Sequence, residues 1–127
     1  MFYLVESSKS FAEVIFDLEP VVQRLGFVIL SSNDLGETLR RKGIDLDEEC
    51  QVFDLCNYRY LERVLADDMR MALTVPWRLS VFTEQGATKL GVLRPPAMMS
   101  TKAPSAALAK VLAEIEEKLI LIVDETR

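Results

Sequence analysis

The chain contains no histidine among its 127 residues. This absence removes the commonest general base and the commonest zinc ligand, so catalysis would depend on cysteine, carboxylate, tyrosine or lysine side chains. The sequence also lacks a glycine-rich phosphate loop, a G-x-S-x-G nucleophile motif and an HExxH metal motif. We therefore predict a protein that holds a ligand rather than converting it, and that needs no cofactor.

Basic charge is scarce: 15 lysine and arginine residues stand against 20 aspartate and glutamate residues, which gives a net charge of −5. Non-specific nucleic-acid binding needs a basic surface that displaces counterions from phosphates, so we expect no nucleic-acid partner. Long hydrophobic runs are also missing, because LILIV near the C-terminus is far shorter than the ~18 residues of a membrane span. The first residues, MFYLVESS, lack the basic start of a signal peptide, and we expect a cytoplasmic protein.

The chain has two cysteines, Cys50 and Cys56. Six residues along one continuous strand span about 20 Å, well beyond the ~7 Å between Cα atoms that a disulfide allows. Their spacing also differs from the two-residue spacing of a zinc knuckle. We therefore expect free thiols and no metal site. Half of the residues are hydrophobic, enough for a chain of this size to fold on its core alone.

Hydrophobic periodicity alternates between strand and helix patterns along the chain. Apolar runs predict strands at residues 2–5, 27–30 and 50–56, and helical spacing predicts helices at 11–25, at 35–42 and after Asn57. Pro20 should kink or split the first helix. A hairpin, a loop at residues 95–104 and a last helix complete the order β-α-β-(α)-β-α-β-β-α. This order predicts a single α+β domain over residues 1–127, an antiparallel sheet with helices packed on one face.

The apolar pattern of the hairpin also chooses its register. With a two-residue turn at residues 85–86, Leu79 lies opposite Val92 and the apolar side chains share one face. A shift by one residue would place Arg78 opposite Arg94, where like charges repel. The first register is therefore the predicted one.

Several stretches together have a recognisable pattern: LVESSKSFAEVIFDLEPVVQRLGFVIL, CQVFDLCN, LADD, and VPWRLSVFTEQG followed by LGVLRP. Over most of residues 3–96 they resemble the bacterial and archaeal domain-of-unknown-function family 302. The resemblance implies a TATA-binding-protein-like α+β fold and a dimer, and it implies no agreed activity.

Two positions depart from the pattern of that family. The family commonly has Cys-Asn-Pro where residues 56–58 of this chain read Cys-Asn-Tyr, and Leu-Pro-Cys where residues 75–77 read Val-Pro-Trp. If two cysteines form a shared site in the family, this chain has kept Cys56 and lost its partner. Chemistry that needs a cysteine pair is therefore not expected here.

Cys56 ends an apolar strand, and Asn57, a good N-cap, begins the next helix. The N-terminal end of a helix carries partial positive charge that favours a thiolate, which would lower the pKa of Cys56. A nucleophile, a persulfide carrier or a soft-metal ligand would suit this position. The other interpretation is a small hydrophobic residue buried in the core, the usual role of a free cysteine.

Trp77, Arg78 and Arg94 complete the candidate ligand site. Arg94 lies opposite Trp77 in the predicted register, so it could stack on the indole and bind an anion or a carboxylate near that ring. The alternative is an arginine whose stem covers the aromatic ring and whose charge pairs with an acid such as Asp54. We favour the alternative, because arginine stems often lie on apolar surface.

The last helix is apolar on all sides between residues 119 and 123, whereas an amphipathic surface helix has a polar outer side. The extra burial predicts a symmetric partner subunit. The alternative is that this segment lies deeper in its own core. The candidate interface residues are Leu119, Ile120, Leu121, Ile122 and Val123.

Taken together, these patterns favour a non-enzymatic, homodimeric, cytoplasmic module that binds a small ligand or a partner protein. The second hypothesis is a thiol-dependent protein that uses Cys56 to handle sulfane sulfur or to bind Cu(I). A hydrolase or transferase that works from carboxylates has no motif to support it.

Overall fold

The computed structural model describes residues 1–95 and 104–127. In chain order its elements are β1 (Phe2–Ser7), α1 (Phe11–Arg24), β2 (Val28–Asp34), α2 (Leu35–Arg41), β3 (Cys50–Cys56), α3 (Tyr58–Asp67), a 3-10 helix (Met69–Leu73), β4 (Trp77–Glu84), β5 (Ala87–Leu93) and α4 (Ala106–Thr126). The predicted order of strands and helices is confirmed, and the 3-10 helix is an addition to it. The loop predicted at residues 95–104 falls mostly on residues 96–103, which lie outside the described part of the chain.

The five strands form one antiparallel sheet in the order β1-β5-β4-β3-β2. The predicted register of the β4–β5 hairpin is confirmed, since Leu79 pairs with Val92. Its turn places Gln85 and Gly86 at positive φ, 50° and 84°. Positive φ at both central residues is the geometry of the tight turn whose twist matches that of the two strands.

One face of the sheet is covered by helices, as predicted. Every second side chain along a strand points to this face, because the side-chain period of a strand is two. Those of the three central strands β3, β4 and β5 include the most deeply buried ones. The sheet contributes Phe53, Leu55, Leu79, Val81, Leu90 and Val92, which pack with Val14, Leu18 and Val22 of α1 and with Ile115, Leu119 and Ile122 of α4. Within the described residues, no helix combines the length and the hydropathy that a membrane crossing would require.

Helix α1 runs without interruption through Pro20, so the expected split of this helix is wrong. The physical reason is position: Pro20 and Phe16, the residue four positions before it, both lie on the exposed side of the helix. Pro20 has no N–H to donate to the Phe16 carbonyl, and on this side of the helix water can donate to that carbonyl instead. At the helix start, Ser10 and Glu13 form a capping box that satisfies two backbone N–H groups.

The opposite face of the sheet, here called the open face, carries the remaining strand side chains. Paired residues form rows across this face, read here from β1 toward β3. One row is Leu4, Gly91, Ser80 and Val52, and the next is Glu6, Lys89, Phe82 and Cys50. At one end of the face, Phe2 pairs with Leu93 and Arg78 pairs with Asp54. Several of its apolar side chains are exposed. The fold therefore separates a helix-covered core from a mixed apolar and charged surface.

Gly91 in β5 is required by the close approach of β1. A Cβ atom at this position would lie 2.5 Å from the carbonyl oxygen of Tyr3 and 3.1 Å from Leu4, so the Gly91→Ala chain would have to shift β1. We expect this variant to lose about 2 kcal/mol of unfolding free energy, measured by urea denaturation. Ser80→Ala, in the strand beside Gly91, is the matched control and should change stability by less than about 0.5 kcal/mol. Equal stability of Gly91→Ala and the wild type would contradict this account of the glycine.

Candidate functional site

A surface pocket of about 740 Å³ opens where β4 begins and β5 ends; we call it the strand-end pocket. Strand β3 ends at the same edge of the sheet, because neighbouring antiparallel strands alternate in direction. The side chains that define the pocket here are Asp54, Leu73, Thr74, Trp77, Arg78, Leu93 and Arg94. Three of the predicted site residues, Trp77, Arg78 and Arg94, therefore line one pocket.

The segment between α3 and β4 builds one wall of this pocket. The Asp68 carboxylate caps the 3-10 helix by accepting from the backbone N–H of Arg70 at 2.9 Å, and it also pairs with the guanidinium of that residue. At the other end, the Thr74 hydroxyl donates to the Met71 carbonyl at 2.8 Å. These local bonds hold exposed Leu73 at the pocket rim.

The two arginines are loosely paired with acids. Arg78 Nε lies 3.6 Å from Asp54 Oδ1, and Arg94 Nη1 lies 3.5 Å from Glu116 Oε1 on α4. Both distances exceed those of strong charge-assisted hydrogen bonds, and the side chains are 60% and 44% exposed. Since a guanidinium has five N–H donors, each arginine keeps donors that an anion in the pocket could use. Arg94 therefore pairs with an acid, as favoured, but that acid is Glu116 and not Asp54, which lies beside Arg78.

Trp77 is buried on the covered face of the sheet. Its ring centroid lies 6.3 Å from that of Phe27 with an interplanar angle of 75°, an edge-to-face contact within the core. The indole therefore forms the floor behind the pocket. Arg78, the next residue in β4, points to the opposite face, so these two neighbouring residues of the predicted site lie on different faces of the sheet.

Cys56 lies where it was predicted, at the end of β3 and directly before α3, and its burial favours the second interpretation, a small hydrophobic residue in the core, over a thiol of low pKa. The residue is fully buried, and burial raises the pKa of the Cys56 thiol, because the thiolate would lose its hydration. Burial also raises the pKa of half-buried Cys50, and the negative charge of Asp34 adds to the effect. Within the described residues, no cluster of three or more histidine, cysteine or acidic side chains could hold a metal ion.

Asn57, the residue after Cys56, caps helix α3 and also reaches the end of α1. Its Oδ1 accepts from the backbone N–H of Tyr60 at 3.0 Å, which confirms the predicted cap. Its Nδ2 donates to the carbonyl of Gly26 at 2.8 Å, a contact that the sequence pattern did not indicate. Both ends of the amide are thus engaged, and Asn57 ties the end of α1 to the beginning of α3.

The predicted interface segment is mostly accounted for within the chain. Leu119, Ile122 and Val123 are fully buried in the core, where α4 packs with α1 and the sheet. Ile120 is half-buried and Leu121 is exposed. For three of the five residues, the deeper placement in the chain's own core is therefore the correct alternative.

Sequence reasoning missed the contributions of Leu73 and Thr74 to the pocket and considered Asp54 only as a partner of Arg94. The register of β3 on β4 was the missing signal, since it places Asp54 beside Arg78. Applying the same face-matching argument to β3 as to the hairpin would have found this pair.

Comparison with known proteins identifies a family and a similar solved structure. A family model described as "Domain of unknown function DUF302" matches residues 3–126. A crystal structure described as an uncharacterized conserved protein DUF302 from Bacillus stearothermophilus is 30% identical to this chain, with a TM-score of 0.89. The similarity covers 99% of this chain and 98% of that one. No curated protein matches.

The buried thiol makes a kinetic prediction. In a Cys50→Ser variant, where Cys56 is the remaining thiol, alkylation of the folded protein by iodoacetamide near pH 7 should be slower than that of free cysteine. Because burial raises the pKa, the rate should rise only at pH values above those at which free cysteine becomes reactive. Mass spectrometry of the timed reaction measures the rate, and unfolding in urea provides the control by restoring ordinary reactivity. Faster labelling of the folded protein than of free cysteine would revive the thiol-dependent hypothesis.

The two hydrogen bonds of the Asn57 side chain, here called the clamp, lead to a second prediction. Asn57→Ala removes the helix cap and the bond to the Gly26 carbonyl, and we expect a loss of about 2 kcal/mol in unfolding free energy. Asn57→Ser keeps an N-cap oxygen for the N–H of Tyr60 and loses the donor to Gly26, so it should be the milder of the two variants. Urea denaturation followed by circular dichroism gives both values. If Asn57→Ser is as damaging as Asn57→Ala, the cap contributes nothing and this description of Asn57 is wrong.

Proposed function

Because the chain belongs to the DUF302 family, whose description assigns no activity, we propose its function from the strand-end pocket. The protein is a cytoplasmic, homodimeric, non-enzymatic module that binds a small ligand with an apolar body and one negative charge. The observation that carries this proposal is the pair of loosely engaged arginines, Arg78 and Arg94, on the wall of an otherwise largely apolar pocket.

The size and lining of the pocket support a small molecule as the ligand. Small-molecule sites commonly have volumes of about 300–1,000 Å³ and apolar walls with a few polar groups that orient the ligand. The strand-end pocket, at about 740 Å³, lies within this range. Its apolar surface comes from residues such as Leu73, Val75 and Leu93, and Thr74 adds a hydroxyl.

The charge balance of the pocket supports a single negative charge on the ligand. Guanidinium groups bind carboxylates and sulfonates through parallel N–H donors. Asp54 and Glu116 already offset part of the positive charge of Arg78 and Arg94, and the whole chain carries −5. A ligand with several negative charges would be repelled by these acids, whereas a monoanion with an apolar body would satisfy both the arginines and the walls.

The chemistry of the pocket supports binding without catalysis. Among the described residues that line it, none is a cysteine, tyrosine or lysine. The carboxylate among them, Asp54, accepts a hydrogen bond from Ser31 at 2.9 Å and lies 3.6 Å from Arg78, so it is engaged by two neighbouring side chains. Cys56, the residue of the thiol-dependent hypothesis, is buried and does not line this pocket.

A fluorescent probe with an apolar body and one sulfonate, anilinonaphthalene sulfonate, tests this proposal by titration. We expect the Arg78→Gln, Arg94→Gln double variant to raise the dissociation constant by at least about 10-fold, because the sulfonate loses both charge partners. Arg59→Gln, at an exposed position of α3 outside the pocket, is the charge-matched control and should change it by less than about 2-fold.

Circular dichroism of each variant checks that binding is compared between folded proteins. An unchanged dissociation constant in the double variant, or an equal effect of Arg59→Gln, would show that the arginines of the pocket do not hold the anion. Weak binding of an uncharged dye, Nile red, by both wild type and double variant would show that the apolar walls do not contribute either.

A further inference from the structure

The open face carries more exposed apolar surface than a solvated sheet face normally has. Phe2 is 61% exposed, Leu4 is 41% exposed and Leu93 is 55% exposed, and all three lie close together on β1 and β5. Val28, at the far side of the sheet, is also exposed. An antiparallel sheet that meets water on one face usually alternates apolar residues inside with polar residues outside. Exposed apolar patches of this kind mark interaction surfaces.

We propose that the open face is the surface on which two copies of this chain associate, an inference that rests on the homodimer of the proposed function. The interface is then formed by the sheet and not by the C-terminal helix. Segment 119–123, which first pointed to a dimer, is largely buried in its own core and leaves little surface for a partner. The apolar surface that remains to be covered lies on the other side of the sheet.

The charges of the open face suit a second copy. Arg78 lies beside Asp54, and Lys89 Nζ pairs with Glu84 Oε1 at 2.7 Å, so positive and negative groups accompany each other on this face. The chain as a whole has a net charge of −5, and most of its surfaces would repel an identical chain. A face on which both signs are interspersed lets two copies meet around a two-fold axis with opposite charges facing each other.

The size of the face is sufficient for such a contact. Five strands about 4.8 Å apart and about seven residues long give a footprint of roughly 550 Å² per copy. Its accessible area is larger than this footprint because side chains project from it. Specific interfaces bury about 600–1,000 Å² on each partner, so a dimer through this face falls at the low end of that class.

The open face is also continuous with the strand-end pocket. A shallow apolar trough of about 350 Å³ lies over Ser80 and Gly91, with Phe2, Leu4 and Phe82 among its walls. Arg78 and Leu93 line both this trough and the strand-end pocket. A second copy lying on the open face would therefore cover the trough and form one wall of the ligand site, which is open on that side in a single chain.

Sedimentation equilibrium at about 1–100 µM tests the interface. The wild type should be a dimer, and the Phe2→Glu, Leu4→Glu double variant should raise its dissociation constant by at least about 100-fold, since two like charges enter an apolar contact. The control is Phe16→Glu, which changes a still more exposed phenylalanine on α1 away from this face. Leu121→Glu tests the exposed part of the C-terminal helix. Both single variants should leave the dimer unchanged.

A milder variant keeps the test valid if the double variant does not fold by circular dichroism. Leu4→Thr introduces a polar residue that still favours the strand conformation and should weaken the dimer by at least about 10-fold. A wild type that is monomeric at every concentration would overturn both this inference and the dimer of the proposed function, while dye binding to the pocket would still stand. A dimer that persists in the folded open-face variants, or that dissociates on Leu121→Glu, would overturn this inference alone.

Discussion

The two-residue side-chain period of β4 decides which parts of this protein can meet a ligand or a partner. Trp77, Leu79 and Val81 point into the core, where α1 and α4 cover them. Arg78 and Ser80, which alternate with these three residues along β4, point to the open face. A shift of one residue would bury the arginine and expose the tryptophan, so the hydrophobic cost of exposing the core fixes the position of the charged group. The pocket and the open face both follow from this register.

The site at the end of β3 shows how burial outweighs a helix terminus. A helix start favours a thiolate, whereas burial disfavours it because the charged sulfur loses its hydration. Cys56 is fully buried, and this burial raises the pKa of its thiol. The Cys-Asn sequence is therefore a structural unit: the thiol fills space and the amide joins two helices. An aspartate would cap equally well but would not reach the Gly26 carbonyl as a donor.

Much of the fold followed from local patterns. The element order came from periodicity, the hairpin register came from matching apolar faces, and the α3 cap came from one asparagine. The strand-end pocket could not be predicted from local patterns, because the end of β3, the start of β4 and the end of β5 are far apart in the sequence and meet only in the folded chain. The effect of Pro20 was missed for a related reason, since the cost of a proline in a helix depends on whether its free carbonyl faces water. Helix α4 was ambiguous in principle: an all-apolar segment has the same pattern whether its own core or a partner covers it.

The pocket and the open face share a wall, and this has a thermodynamic consequence for the proposed dimer. Arg78 and Leu93 would contact the ligand on one side and the second copy on the other. A ligand that touches both copies binds the dimer more tightly than the single chain, and linkage requires that it strengthen the dimer by the same factor. Because a surface of this size is at the low end for stable association, the dimer would be sensitive to that added contact. Arg78, which lines both the pocket and the open face, is then the residue through which the negative charge of the ligand would affect the contact between the subunits.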